Sequence, residues 1–381
     1  MKKILILATI PLSLKAFSLD FMKYLRDKGY EVHAAAGEGS DSEIIKKEGF
    51  TYHEILISRN INPVLDFKAF KLLKNLMKEE SFDLVHTQTS KAGFIGRFAA
   101  HSAGVPAIVH TAHNWSFHAL LPSWQRKFYF FLEKKAAKWC DAIIVDTKAV
   151  REYGLKFGVV SPEKLYQVYM GINTDRFLPF DQERKNKTRQ SMGIGLGKTV
   201  VGSIARLVPD KGVEMLIECA REMKDAKDVI FVLVGDGGLR ASFENKVAEY
   251  GLSDKFIFTG HIDDVVPVLN TFDVFCLPTL REGFGVVFAE AQACGVPIVA
   301  TRIPPLKEVV QDGVTGYLIS PYSAESFADG IQKLFDEKRR EEMSQEARRF
   351  VQDNFDIKNI NEKTFAIYER LWKDKGYEKK D

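Results

Sequence analysis

Short apolar runs without polar interruption, alternating with amphipathic segments, constrain this chain more than any other feature. A strand solvated on one face alternates polar and apolar residues, so an unbroken apolar run belongs to a strand covered on both faces. In the first half Lys3–Ala8 (KILILA), Glu31–Ala36, Phe82–His86, Ala107–His110 and Ala142–Val145 read as such strands. Ser18–Lys28, stopped at Gly29, and Asp66–Glu80, with lysines at 68, 71, 74 and 78, read as helices between them. The alternation breaks at Phe180–Gly197, a polar, charged, glycine-containing stretch that reads as a linker. It restarts with strands at Val200–Ala205, Ile230–Val234, Phe256–Thr259, Val274–Leu277 and Ile298–Ala300.

The pattern predicts an α/β fold of two doubly wound, Rossmann-like domains, residues 1–180 and 181–358, facing across a cleft. A last amphipathic helix, from about 359 to 381, is expected to pack back on the first domain. Sheets of this kind bind ligands beyond the carboxyl ends of their strands, and that is where the chemistry is sought.

Charge narrows the partners. The 54 Lys plus Arg and 51 Asp plus Glu leave a net +3, too little to argue for nucleic-acid binding. Residues 1–180 carry 25 basic and 18 acidic side chains and the remainder 29 and 33, so the first domain is the one expected to face something anionic. Cys140, Cys219, Cys276 and Cys294 form no C-x-x-C pair and read as reduced thiols in a reducing cytosol. MKKILILATIPLSL is short for a signal peptide, and no run reaches the roughly 18 to 20 apolar residues of a membrane span. A cytoplasmic protein, at most peripheral on the membrane, is expected.

Two stretches of the second domain suit an anionic ligand. In Gly202-Ser-Ile-Ala-Arg206-Leu-Val-Pro-Asp-Lys211-Gly212 a strand enters a turn, which places Arg206 and Lys211 just past its carboxyl end. Arg grips phosphate oxygens bidentately and Lys supplies a point charge. In Glu282-Gly-Phe-Gly-Val-Val-Phe-Ala-Glu290, Gly283 and Gly285 open a helix whose first amides can approach a phosphate. Glu290, in its opening turns, suits sugar hydroxyls, and Glu282 lies nearer the reacting end. Val234-Gly-Asp-Gly-Gly238 reads as a tight turn only. Gly193–Thr199 imitates a phosphate-binding loop but precedes a strand instead of following one.

In the first domain His113 follows a strand and should lie at the cleft edge, able to bond a hydroxyl or carry a proton. His86, Ser90 and Lys91, in a polar run leaving strand FDLVH, and His118 are candidates for the acceptor side. Pro122–Trp139 sets Trp124, Phe128, Phe131 and Trp139 beside Arg126, Lys127, Lys134, Lys135 and Lys138, the pairing an interfacial helix presents to anionic headgroups. A helix whose aromatics pack on the sheet fits the same residues.

The G-x3-R-x4-K-G stretch, the E-x7-E stretch and the long segment from Gly260 to Gly316 resemble family-4 retaining glycosyltransferases of GT-B fold. VHTQTSKAGFIGR and IVHTAHNWSFH are similar to bacterial members that build capsule, O-antigen or lipid-linked glycans. The resemblance implies transfer of a hexose or N-acetylhexosamine from a nucleotide sugar, UDP favoured, to a lipid-linked or oligosaccharide acceptor. It implies that Arg206 and Lys211 hold the diphosphate, Glu290 the ribose, Gly283–Gly285 the phosphate and sugar, with Gly202 and Phe284 in the same donor-binding motifs. Glu282 would contact the transferred sugar, His113 would approach it from the first domain, and the base would rest near Gly260–Val265. No cofactor and no metal is implied, in keeping with the missing D-x-D triplet. The paired glycines that many members carry after the first strand are replaced here by Thr9-Ile-Pro-Leu-Ser-Leu14. A nucleotide-sugar 2-epimerase of the same fold and a catalytically inactive sugar-nucleotide-binding subunit remain alternatives.

Overall fold

The computed structural model describes residues 2–58, 60–320 and 323–376. The chain forms two compact units, Met1–Met170 joined by Lys358–Asp381, and Gly171–Ile357.

The first unit holds a parallel sheet of β1 (Lys3–Leu7), β2 (Glu31–Ala36), β3 (Thr51–Glu54), β4 (Leu84–Gln88), β5 (Ala107–Ala112), β6 (Ala142–Val145) and β7 (Leu165–Gln167). Its spatial order is β3-β2-β1-β4-β5-β6-β7. Alternate residues of β1 explain the unbroken apolar run. Leu5 and Leu7 join a core with Ala69, Leu73 and Met77, while Ile4 and Ile6 join Phe21, Met22 and Leu25 on the opposite face. The second core also takes Phe365, Tyr368, Leu371 and Trp372 from the helix Ile357–Asp374, so this helix covers one face of the first sheet; residues 377–381 of the expected last helix lie outside the described residues. Trp372 stacks on Tyr30 at 5.4 Å and Tyr368 meets Phe21 edge-on at 5.6 Å.

The second unit repeats the design with β8 (Thr199–Ile204), β9 (Val229–Val234), β10 (Phe256–Gly260), β11 (Val274–Leu277), β12 (Ile298–Thr301) and β13 (Gly316–Ile319), all parallel, in the order β10-β9-β8-β11-β12-β13. The strand order reverses between β1 and β4 in one unit and between β8 and β11 in the other. Loops leaving opposite ways at such a point open the crevice where doubly wound sheets bind ligands.

Several elements differ from the expectation. The segment read as the first loop, Thr9–Leu14, runs into a helix, Pro11–Phe17, started by Pro11 in its first turn. The strand expected at Phe82–His86 runs instead over Leu84–Gln88, which moves His86 from a loop edge to mid-strand. Edge strands β3 and β7 are too short and too polar to stand out in the sequence.

The expected linker Phe180–Gly197 is largely a docked helix, Gln182–Ser191, capped by the Asp181 side chain accepting from the Arg184 amide. Ion pairing, not apolar burial, holds it down. Arg189 donates to Asp273 Oδ2 at 2.6 Å and to the Thr271 carbonyl, and Lys185 reaches Asp273 Oδ1 at 2.9 Å. The crossings between units lie earlier and later, at Met170/Gly171 and Ile357/Lys358. There the Ile172 amide donates to the Phe355 carbonyl at 2.8 Å and the Ile357 amide to the Ile172 carbonyl at 3.0 Å.

Candidate active site

Residues at the β8/β11 reversal converge because glycines allow three backbones to touch. Gly212 sits at φ 66°, and a Cβ there would lie 1.9 Å from the Pro278 carbonyl oxygen beyond β11. Only glycine fits that approach. The Leu280 amide then donates to the Asp210 carbonyl at 2.9 Å, locking the Arg206–Gly212 loop to the segment after β11. On the other side the Leu207 amide donates to the Asp236 carbonyl at 2.9 Å. Cβ atoms on Gly235 and Gly237 would fall 2.0 and 2.4 Å from the carbonyl oxygens of Ala205 and Leu207. The Val234–Gly238 turn thus buttresses the Arg206 loop.

On this frame Lys211 Nζ donates to Glu282 Oε1 at 2.6 Å, with only 19% and 11% of the side chains exposed. Arg206, two residues past β8, is exposed, and its guanidinium has no hydrogen bond or ion pair among the described residues. Gly285, at φ 85°, caps the helix Val286–Ala293, where a Cβ would press to 2.7 Å on Phe288. Glu290 lies one turn into that helix, and its carboxyl has no hydrogen-bond partner among the described residues. Burial pushes its carboxyl up to about 7, against a weaker opposing pull from the Arg176 charge. Arg176 itself pairs with Asp264 at 3.0 Å.

Two expected donor residues sit in the packed interior of the second unit. Gly202 is inside β8, where a Cβ would strike the Phe272 ring at 2.1 Å. Phe284 is buried edge-on against Phe355 at 5.0 Å, so only its backbone can face a ligand.

In the first unit three adjacent strands end in polar residues that meet. His113, past β5, offers Nδ1 to Asp146 Oδ2 at 3.0 Å, past β6, and Nε2 to Gln88 Oε1 at 2.8 Å, the end of β4. The Gln88 amide nitrogen donates to Ser18 Oγ at 2.6 Å. The Phe17 ring lies 4.6 Å from the His113 ring, contributed by the helix that replaces the glycine loop. Nearby, Thr9 Oγ1 and Thr89 Oγ1 are 2.8 Å apart. Thr89 holds φ 62°, a strained setting for a β-branched residue that the surrounding contacts must maintain. The sequence expectation gives no role to Gln88, Asp146, Thr9 or Phe17; polar residues closing apolar strands were the available signal for the first two.

The acceptor-side expectation changes more. His86 is fully enclosed, Nδ1 at 2.6 Å from the Tyr368 hydroxyl and Nε2 at 2.7 Å from Thr111 Oγ1. Burial lowers its pKa to about 3, so it is a neutral core histidine under the last helix. Lys91 is tied to Asp66 at 2.8 Å and to the Asn60 carbonyl. Ser90 is exposed at the start of the helix Ser90–Ala103, and His118 is half-buried in the loop after β5.

Both halves of the chain match families of sugar-transferring enzymes. The model described as Glycosyltransferase Family 4 matches residues 16–176, and that described as Glycosyl transferases group 1 matches residues 184–350. A two-sheet architecture with ligand loops at each strand reversal is that of GT-B glycosyltransferases. The chain is 30% identical over 316 residues, 82% of its length and 81% of the relative's, to the UDP-Gal:alpha-D-GlcNAc-diphosphoundecaprenol alpha-1,3-galactosyltransferase of Escherichia coli. It is 27% identical to the capsular polysaccharide biosynthesis glycosyltransferase CapM of Staphylococcus aureus, with 93% of each chain covered. Its fold matches that of Anabaena Alr3699/HepE, solved with UDP and glucose, at a TM-score of 0.85 and 21% identity over 97% of this chain and all of the other. The chain belongs to the family-4 glycosyltransferases of GT-B fold.

Proposed function

We propose that this glycosyltransferase moves a hexose or N-acetylhexosamine from a UDP-sugar to a lipid-linked acceptor in bacterial surface-glycan synthesis. Anomeric configuration is retained and no metal takes part. The carrying observation is the Lys211–Glu282 pair beside exposed Arg206 at the carboxyl edge of β8 and β11. A sugar diphosphate bound there accepts Arg206 and the Lys211 ammonium, and the amides of Gly283–Gly285 complete the cradle. Positive charge set in advance where the leaving diphosphate gains charge is the main source of acceleration. Glu282, in contact with Lys211, addresses the transferred sugar, and Glu290 accepts from the ribose hydroxyls. We assign His113, with both ring nitrogens held by Asp146 and Gln88, a role in the transfer, with Ser90 and His118 on the acceptor side. The names of the E. coli and Anabaena relatives supply the lean to UDP and to a diphospholipid acceptor.

A thermal-shift panel of UDP, GDP, ADP and CMP, with and without magnesium, tests the donor reading. UDP alone should raise the melting midpoint, since a ligand at a hundredfold excess over Kd adds about 2.7 kcal/mol. No shift with any nucleotide would favour the inactive-subunit reading; conversion of donor sugar without acceptor or UDP release would favour the epimerase. Glu290→Gln belongs in the same panel. A carboxyl raised to about 7 contributes stability below its ordinary range that is lost as pH rises through 7. The variant should therefore melt higher than wild type at pH 8, by about 1–3 kcal/mol, while its UDP shift shrinks. A lower midpoint at pH 8 would contradict this.

A peripheral seat on the cytoplasmic face of the membrane completes the reading. No helix among the described residues is long and apolar enough to cross a membrane. The helix Ser123–Ala136 leaves Trp124 70%, Phe128 42% and Phe131 62% exposed among Arg126, Lys127, Lys134 and Lys135, which suits an anionic lipid surface. Changing Lys134, Lys135 and Lys138 to Glu should abolish cosedimentation with phosphatidylglycerol vesicles; undiminished sedimentation would end the proposal.

A further inference from the structure

We propose that His33, His53 and Glu80 form a structural site for one divalent transition-metal ion of the Zn2+ or Co2+ class. It lies at the amino-terminal end of the first sheet, away from the strand ends that carry His113. The register pairs His33 with Thr51 and Ala35 with His53, so both histidines project from one face of β2 and β3. Their rings stack at 5.1 Å, with His33 Nδ1 facing His53 Nε2 at 2.9 Å. Glu80, the cap residue after the helix Pro63–Glu79, brings its carboxylate alongside, and one ligand atom from each of the three lies within 4.8 Å of the others.

A second observation points to an ion. His33 Nε2 bonds Glu31 Oε1 at 2.9 Å, and the ring is buried edge-on to Phe82 at 5.2 Å. A histidine that donates its far N–H to a carboxylate turns its other lone pair inward, the orientation outer-shell carboxylates impose on metal-binding histidines. Tetrahedral zinc, with bonds of about 2.0–2.1 Å, sets two nitrogens roughly 3.3 Å apart. The rings at 2.9 Å need part by only a few tenths of an ångström. The ion replaces the proton between them, and His53 keeps that proton on Nδ1, so none is released. Two imidazoles and one carboxylate suit zinc, cobalt or nickel better than calcium or magnesium.

Lys3 Nζ holds Glu80 at 2.8 Å and Glu31 at 3.3 Å and is the ion's internal competitor. Metal entry moves the ammonium off Glu80 and leaves it on Glu31. The ion would then join the four-residue edge strand β3 to β2 and to the helix Pro63–Glu79.

The full chain, cleared with a chelator and dialysed, should take up one equivalent of Co2+ with the visible absorption of a low-coordinate cobalt site, displaced by Zn2+. Half-exposed His53 is the safer position to change, and His53→Gln should remove that spectrum while melting cooperatively. Glu31→Gln should weaken binding 10- to 100-fold, and Lys3→Met should tighten it. Absence of the spectrum, or its survival in His53→Gln, overturns the site.

Discussion

Replacing Lys211 with alanine is expected to cut kcat/KM tenfold to several hundredfold, and Arg206→Ala to cut it tenfold or more. Each tenfold loss corresponds to about 1.4 kcal/mol of transition-state stabilisation, the scale of one charge-assisted contact to phosphate. The two variants should differ in character. The Arg206 side chain is exposed and unpaired among the described residues, so its loss should remove only the proposed diphosphate contact and leave the fold untouched. Lys211 is the partner of Glu282, whose side chain is 11% exposed. Its loss strands that carboxylate and so should also disturb the proposed sugar contact. Lys211→Ala should therefore lower kcat more than it raises the donor KM, whereas Arg206→Ala should weigh more on KM. UDP release at saturating acceptor measures both, and near wild-type turnover in the pair would remove the diphosphate clamp from the mechanism.

Asp273→Ala is expected to destabilise the second unit by about 3–5 kcal/mol, the cost of breaking a buried ion cluster by removing one partner. Asp273 accepts from the Val200 amide at 2.8 Å as well as from Arg189 and Lys185. It therefore joins the start of β8 to the helix Gln182–Ser191. Desolvation alone would raise its carboxyl; the Lys185 and Arg189 charges and the amide outweigh that and hold it below the usual range. A depressed carboxyl stabilises above its ordinary pKa and loses that contribution as pH falls through its folded value. The melting deficit of the variant should be full at pH 7 and narrow in the acid range. At roughly 2–4 °C per kcal/mol for a unit of this size, the deficit at pH 7 is on the order of 10 °C. A midpoint within about 2 °C of wild type would show that the cluster adds nothing net.

The cluster also marks where sequence reading stops. Asp181–Ser191 is polar at every position, and nothing local distinguishes a solvated linker from a helix docked by ions. The decision belongs to Asp273, more than 80 residues away from Arg189 in the chain. The motifs behaved differently. Arg206, Lys211, Gly285 and Glu290 are placed by chain-local geometry, a strand end followed by a turn or by a helix start, so their neighbourhood was legible from spacing alone. The strand–helix alternation was legible for the same reason, since an apolar run covered on both faces leaves its mark residue by residue.

What the amino-acid sequence determined by itself is therefore the doubly wound class, the restart of the pattern after the first domain, and the basic and glycine-rich loops at strand ends. Only the tertiary structure decided which polar side chains are spent on packing. His86 shows why. Its strand is visible in the sequence, but the Tyr368 hydroxyl that encloses it comes from 282 residues further along the chain. Gly202 and Phe284 sit in ligand-like motifs, yet their neighbours Phe272 and Phe355 make them core positions. The meeting of Gln88, His113 and Asp146 at the ends of three strands is of the same kind. Local patterns record which face a residue presents, while its partner is set by the strand order, which no window of sequence contains.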